Sequence, residues 1–138
     1  MPRLSEHLSQ RAGCGDNGEY QRQSEAGAKA SARVFNQLHP FLIGPNMLTI
    51  YPESDLYQEI QNGNWEEESE IEKYQELRTL VENLNIPTYF AAMGASNAFQ
   101  LRGRLPEDKE QLLETLDRII CEVSEEELRY YRRNLPHL

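Results

Sequence analysis

The stretch Ser96-Asn97-Ala98-Phe99-Gln100-Leu101-Arg102-Gly103-Arg104-Leu105-Pro106-Glu107-Asp108-Lys109 joins an apolar run to a strong helix start. It reads as a polar loop feeding a helix. Pro106 suits a first helical position, where its missing N–H has no intrahelical acceptor, and Glu107 and Asp108 put negative charge in the first turn. Leu112, Leu113, Leu116, Ile119, Ile120 and Val123 then recur at helical spacing, opposite Glu110, Gln111, Glu114, Asp117 and Arg118. Arg102 and Arg104 flank Gly103 just before this helix. Two guanidiniums there suit an anion, but salt links to Glu107 and Asp108 are the commoner use of such a cluster.

Upstream, Ile86-Pro87-Thr88-Tyr89-Phe90-Ala91-Ala92-Met93 reads as a buried strand ended by Gly94, with Pro87 tolerable only near its start. Before it, Ser69 and Glu72 make a capping box, and Ile71, Tyr74, Leu77, Val81 and Leu84 carry a helix to Asn85. Downstream, Ser124 and Glu127 repeat the capping box and open a short tail helix with Leu128 and Tyr131. Arg129, Arg132 and Arg133 fall in its last turn, where cations complement the helix dipole.

Further toward the N-terminus, Met47-Leu48-Thr49-Ile50-Tyr51 is a short apolar run between Pro45 and Pro52, which fits a strand covered on both faces. Ser24-Glu25 opens a helix whose face is Ala28, Ser31, Val34, Phe35 and Leu38, and Pro40 ends it by disfavouring helix at His39. Pro52-Glu53-Ser54-Asp55 caps a short helix with Leu56, Tyr57 and Ile60, stopped at Gly63. Trp65 follows and reads as a packing anchor. Residues 1–23, with Gly13, Gly15 and Gly18, show no periodic pattern and read as irregular, and Gly13-Cys14-Gly15 lacks the lysine of a phosphate loop.

A chain of 138 residues suits one domain. Its net charge is −9, with Glu66, Glu67, Glu68, Glu70, Glu72 and Glu76 crowded together, which argues against nucleic acid and anionic membranes as partners. That acidic run reads as a solvated face, because no His or Cys nucleophile stands beside it at motif spacing. Cys14 and Cys121 are too far apart in sequence for a CxxC metal site and make no disulfide framework; a reducing cytoplasm fits best. His7, His39 and His137 are scattered. No stretch reaches the roughly 20 apolar residues of a membrane span, and the N-terminus lacks the apolar core of a signal peptide.

Two short apolar strands separated by helices suggest parallel pairing, yet parallel strands are normally buried inside a larger, helix-covered sheet. Two strands alone leave open edges that invite association. The expected architecture is therefore α/β, two short parallel strands with about five helices, the end of something larger.

Four stretches together resemble the C-terminal part of a radical SAM enzyme, in an uncharacterised bacterial group with a partial (β/α) barrel and a helical tail. Residues 24–36 look like a late barrel helix. Met47 to Tyr57 resembles the late strand with its "PGTPLY"-like turn, and Gly63-Asn64-Trp65 is similar to the "G-x-aromatic" that follows. Ala95-Ser96-Asn97 and Leu101 to Lys109 resemble the "ASN" and "L-x-G-x-LP-x-DK" ending, the most specific of the four. The likeness spans about residues 13–123. It implies late barrel strands and helices over 24–123, a helical tail over 124–138, and an N-terminal segment, 1–23, whose first ten residues lack the likeness.

The family's CxxxCxxC motif, whose thiolates hold a [4Fe–4S] cluster that binds S-adenosylmethionine, is absent here. The resemblance thus implies a truncated or split piece, inactive alone, with no catalytic or metal-binding residue and no cofactor of its own. Its partner would be a chain supplying the N-terminal half-barrel. The alternative is a non-enzymatic interaction or scaffold module that docks or self-associates through open strand edges. Ser96 and Asn97, expected beyond the C-terminal end of the second strand, and Tyr51 are the substrate-side candidates. Arg102 and Arg104 are the anion-binding or structural pair.

Overall fold

In the computed structural model, which describes residues 19–136 and side chains from residue 24 onward, the stretch 101–105 is a strand rather than a loop. Leu101, Gly103 and Leu105 are buried while Arg102 and Arg104 are exposed, the period-two alternation of a strand covered on one face. The described elements run α1 (Glu19–Leu38), β1 (Leu42–Ile43), α2 (Asp55–Gln61), α3 (Glu70–Asn83), β2 (Thr88–Ala92), β3 (Leu101–Leu105), α4 (Lys109–Glu122) and α5 (Glu125–Arg133). They make a mixed α/β fold with an open three-stranded sheet in the order β1-β2-β3.

The expectation of two parallel strands is corrected by this sheet. β1 pairs parallel with β2, Leu42 opposite Tyr89 and Ile43 opposite Phe90. β3 pairs antiparallel with β2, Thr88 opposite Leu105 through Ala92 opposite Leu101. The third strand comes from the segment read as a loop, because a hairpin partner satisfies β2's second edge. Arg104 N–H donates to Asp108 Oδ2 (2.8 Å) and the Arg104 carbonyl accepts from Asp108 N–H (2.7 Å), so the turn after β3 occupies backbone groups of this edge strand.

Pro106 does not start the helix. Residues 106–108 form a turn, and α4 begins at Lys109 with Asp108 at its N-cap position. The apolar stripe is as expected: Leu112, Leu116, Ile119 and Ile120 are buried where α4 packs against β3 and α3. A Cβ on Gly103 would lie 3.0 Å from Asp108 Cβ and 3.1 Å from Leu112 Cδ1, so the glycine lets α4 seat against the strand. Cys121, half-buried on α4, is disulfide-bonded, where the sequence pointed to no disulfide; Cys14 lies outside the described residues.

The first strand also moves. Met47–Tyr51 is irregular, and β1 lies at Leu42–Ile43 instead. The physical reason is Asn97, whose Oδ1 accepts from Met47 N–H (2.8 Å) and whose Nδ2 donates to the Pro45 carbonyl (3.2 Å), taking backbone groups that a ladder would need. α1 begins at Glu19, so residues 19–23 are helical and not irregular. It ends as Pro40 requires, with His39 in the left-handed region (φ 53°) and its N–H on the Phe35 carbonyl.

The buried face of α1 is Ser24, Ala28 and Ala32, with Phe35 half-buried; Val34 (52% exposed) and Leu38 (70%) lie outside it. Small side chains at i, i+4 and i+8 let α1 lie close against α3, which decides the face against the larger residues. The core joins Tyr74, Val81 and Leu84 of α3 and its end, Phe90 of β2, Leu105 of β3, Leu116 of α4 and Leu128 of α5. Both capping boxes form as read, at Ser69–Glu72 and Ser124–Glu127. Among the described residues no helix is long and apolar enough to cross a membrane.

Candidate functional site

Because β1 and β2 run parallel, the loops after them, residues 44–48 and 93–97, leave the sheet at the same end, the usual place for ligands in α/β sheets. Asn97 joins them. It is 3% exposed, and besides Met47 and Pro45 it reaches Asn46 Oδ1 (3.4 Å). Gly94 is held close by the same loop, since a Cβ there would fall 1.8 Å from Asn46 Oδ1.

Arg132 clamps both loops from α5. Its Nη1 donates to the Ser96 carbonyl (2.6 Å), its Nη2 to the Leu48 carbonyl (2.8 Å), and its Nε lies 3.6 Å from Glu70 Oε2. Arg132 and Arg133 do lie in the last turn of α5, while Arg129 sits a turn earlier; what changes is the role of Arg132, which is an inter-segment tie and not a solvated capping cation. Ser96 contributes its carbonyl to that tie. Tyr51 is exposed, and its carbonyl accepts from Ser54 at the start of α2.

Beside Asn97 lies a cavity of about 650 Å³ between α1, α3 and residues 63–68. Trp65, Glu68, Lys73, Glu76 and Asn97 line it, with Ala28 of α1. Trp65 is 38% exposed on this wall and is not the core anchor expected from the sequence. Ser24 Oγ donates to Glu68 Oε1. Burial, the Glu68 charge and a hydrogen bond to Glu68 push the Glu76 carboxyl up to about 7, so this pair holds a proton near neutrality.

The acidic run is therefore only partly a solvated face. Glu70, Glu72 and Lys73 are buried, with Lys73 Nζ on Glu67 (2.6 Å) and Glu70 (2.9 Å). Glu125, which the sequence did not single out, receives the Glu70 and Ile71 amides (2.9 and 3.0 Å) at the start of α3. Burial works to raise its carboxyl, but those amides and Arg129 outweigh it and hold the group below the usual range.

On the other side of the sheet lies a second feature. The positions facing away from the helices are Leu42, Tyr89, Ala91, Arg102 and Arg104, and Tyr89 is opposite Arg104. Neither arginine forms the anticipated salt link: Asp108 is engaged by the Arg104 amide, and Arg102 and Arg104 make no ion pair with another described residue. Among the described residues no group of three or more His, Cys, Asp or Glu could hold a metal ion.

No family model, curated protein or solved structure matches the chain. The site has to be read from its own geometry. It divides into a carboxyl-lined cavity on the helical side, with Asn97 in its wall, and a sheet face that no described element covers and that carries Arg102 and Arg104. The structure brings Ser96 and Asn97 together under Arg132 and places the arginine pair across the sheet from the cavity side.

Proposed function

We propose that this chain is the late-barrel, C-terminal portion of a radical SAM enzyme, truncated or split, and inactive by itself. One observation carries the reading: a sheet whose buried side chains all face the helices, with its opposite face uncovered and its β1 edge unpaired among the described residues. A slice of a (β/α) barrel shares that layering, with helices outside and a strand face turned to the lumen, and its parallel pairing is met by β1 and β2 but not by the antiparallel β3. Exposed Val34 and Leu38 on α1 suit a further neighbouring helix.

In a complete enzyme the [4Fe–4S] cluster would supply the reductive cleavage of S-adenosylmethionine. Its three thiolates do not fit this chain, which has two cysteines. The radical step therefore belongs to the partner, and the residues here would form a lumen wall and the loops at its rim. The test is co-expression with a chain that carries CxxxCxxC and the early strands, sought first in the DNA upstream of Met1. A stable complex that cleaves S-adenosylmethionine only when both chains are present is the expected result. No association with such a chain would overturn it.

The second reading, a non-enzymatic interaction module, uses the same face, on which Leu42 and Tyr89 are exposed. It gains if the chain captures a partner that has no cluster motif.

A further inference from the structure

We propose that Arg102 and Arg104 form a binding site for a phosphate monoester on the uncovered sheet face; this rests on reading that face as a lumen wall and names the ligand chemistry of the wall. The chain carries a net charge of −9, yet the outward positions of the sheet include two guanidiniums and no carboxylate. The nearest acid in sequence is committed elsewhere, since Asp108 accepts from the Arg104 amide at 2.8 Å. Two cations are left facing outward without a described acidic partner.

Their placement suits one class of ligand. Alternate positions on a strand lie roughly 6.5 Å apart on the same face, so both long side chains can converge on one group between them. A carboxylate brings two oxygens and one negative charge to the pair, whereas a phosphate monoester has three terminal oxygens and about two negative charges for two guanidiniums to share. Tyr89, opposite Arg104 and 37% exposed, supplies a ring surface for the organic part of the ester, and Ala91, opposite Arg102, leaves room beside it.

The experiment titrates the isotope-labelled full chain with phenyl phosphate at constant ionic strength and follows the amide resonances of residues 89–91 and 102–104. Benzoate serves as the carboxylate arm. A saturable shift is expected, weakened about tenfold or more in Arg102→Gln/Arg104→Gln, with benzoate binding more weakly. Both positions are exposed, so the double variant should keep the dispersed spectrum of the folded chain. Absence of saturation, an affinity unchanged in the double variant, or equal binding of benzoate overturns the proposal. Acetylation of Tyr89 without ligand, mapped by mass spectrometry, separates the two levels. A modified Tyr89 with no phosphate effect removes the anion site and leaves the lumen wall standing, while a protected Tyr89 removes both.

Discussion

Arg132 reaches three groups drawn from separate parts of the chain, the carbonyls of Leu48 and Ser96 and the carboxylate of Glu70. Glu70 Oε2 has no hydrogen-bond partner, and its carboxylate is balanced by Lys73 on Oε1 (2.9 Å) and by the Arg132 guanidinium near Oε2 (3.6 Å). Arg132→Ala should lower stability by about 2–4 kcal/mol in urea denaturation, since hydrogen bonds to charged groups contribute roughly 1.5–3 kcal/mol each and the variant loses two of them, while Lys73 still pairs with Glu70. Arg132→Lys should recover only part of this, because an ammonium cannot span both carbonyls as a planar fork does. Glu76 predicts a pH effect of a different kind. Its folded carboxyl titrates near 7, above the ordinary 4.5, so the folded state holds the extra proton and stability falls as pH rises between those values. Glu76→Gln should match the parent near pH 5 and exceed it by about 1–2 kcal/mol at pH 8, the figure being reduced for a group only half buried. Equal pH profiles in the two proteins would show that the Glu68–Glu76 pair does not share a proton.

At the scale of elements, the seating of α4 on β3 organises the second half of the fold. Leu116 is fully buried at the centre of the helix stripe. Leu116→Asp should cost about 4 kcal/mol or more, through a lost apolar contact and a charge with no partner, and should unfold or aggregate the chain. Retained helix content and melting by circular dichroism would show that the stripe is not buried. The strand side of the same contact is Gly103. Gly103→Ala should destabilise by about 1–2 kcal/mol, because a Cβ would press on Leu112 and on the Asp108 Cβ, which the turn holds in place. Gly27, with nothing within 4 Å of a Cβ, is the control: Gly27→Ala on exposed α1 surface should be neutral or stabilising.

For the whole molecule, the arrangement of one covered and one uncovered sheet face is what the functional proposal uses. Iron and sulfide reconstitution of the chain by itself should yield no stable [4Fe–4S] absorbance and no S-adenosylmethionine cleavage, for want of three thiolates. Cluster absorbance with turnover would overturn the assignment of radical chemistry to a partner. The cavity beside Trp65 lies on the helical side, so variants at Glu76 should leave the behaviour of the Arg102–Arg104 face unchanged. That independence can be read in the same spectra as the phosphate titration.

The sequence by itself determined the features that depend on neighbours along the chain. Ser69–Glu72 and Ser124–Glu127 are capping boxes whose partners are three residues apart, and the α4 stripe from Leu112 to Ile120 is a periodicity within one helix. The same holds for the stop of α1 at Pro40 and the apolar run that becomes β2. Leu101-Arg102-Gly103-Arg104-Leu105 carried a legible alternation, but its strand character needed the free edge of β2 to make it favourable. What only the tertiary structure decided rests on partners distant in sequence. Asn97 took the Met47 amide and so displaced the first strand to Leu42–Ile43, and Ala28 and Ala32 were buried over larger residues by the approach of α3. Glu68 and Ser24 met 44 residues apart at the cavity, and Arg132 reached Leu48 across 84. Local hydrogen bonding and periodicity are encoded in spacing, whereas the desolvation and pairing of distant groups exist only once the core has brought them together.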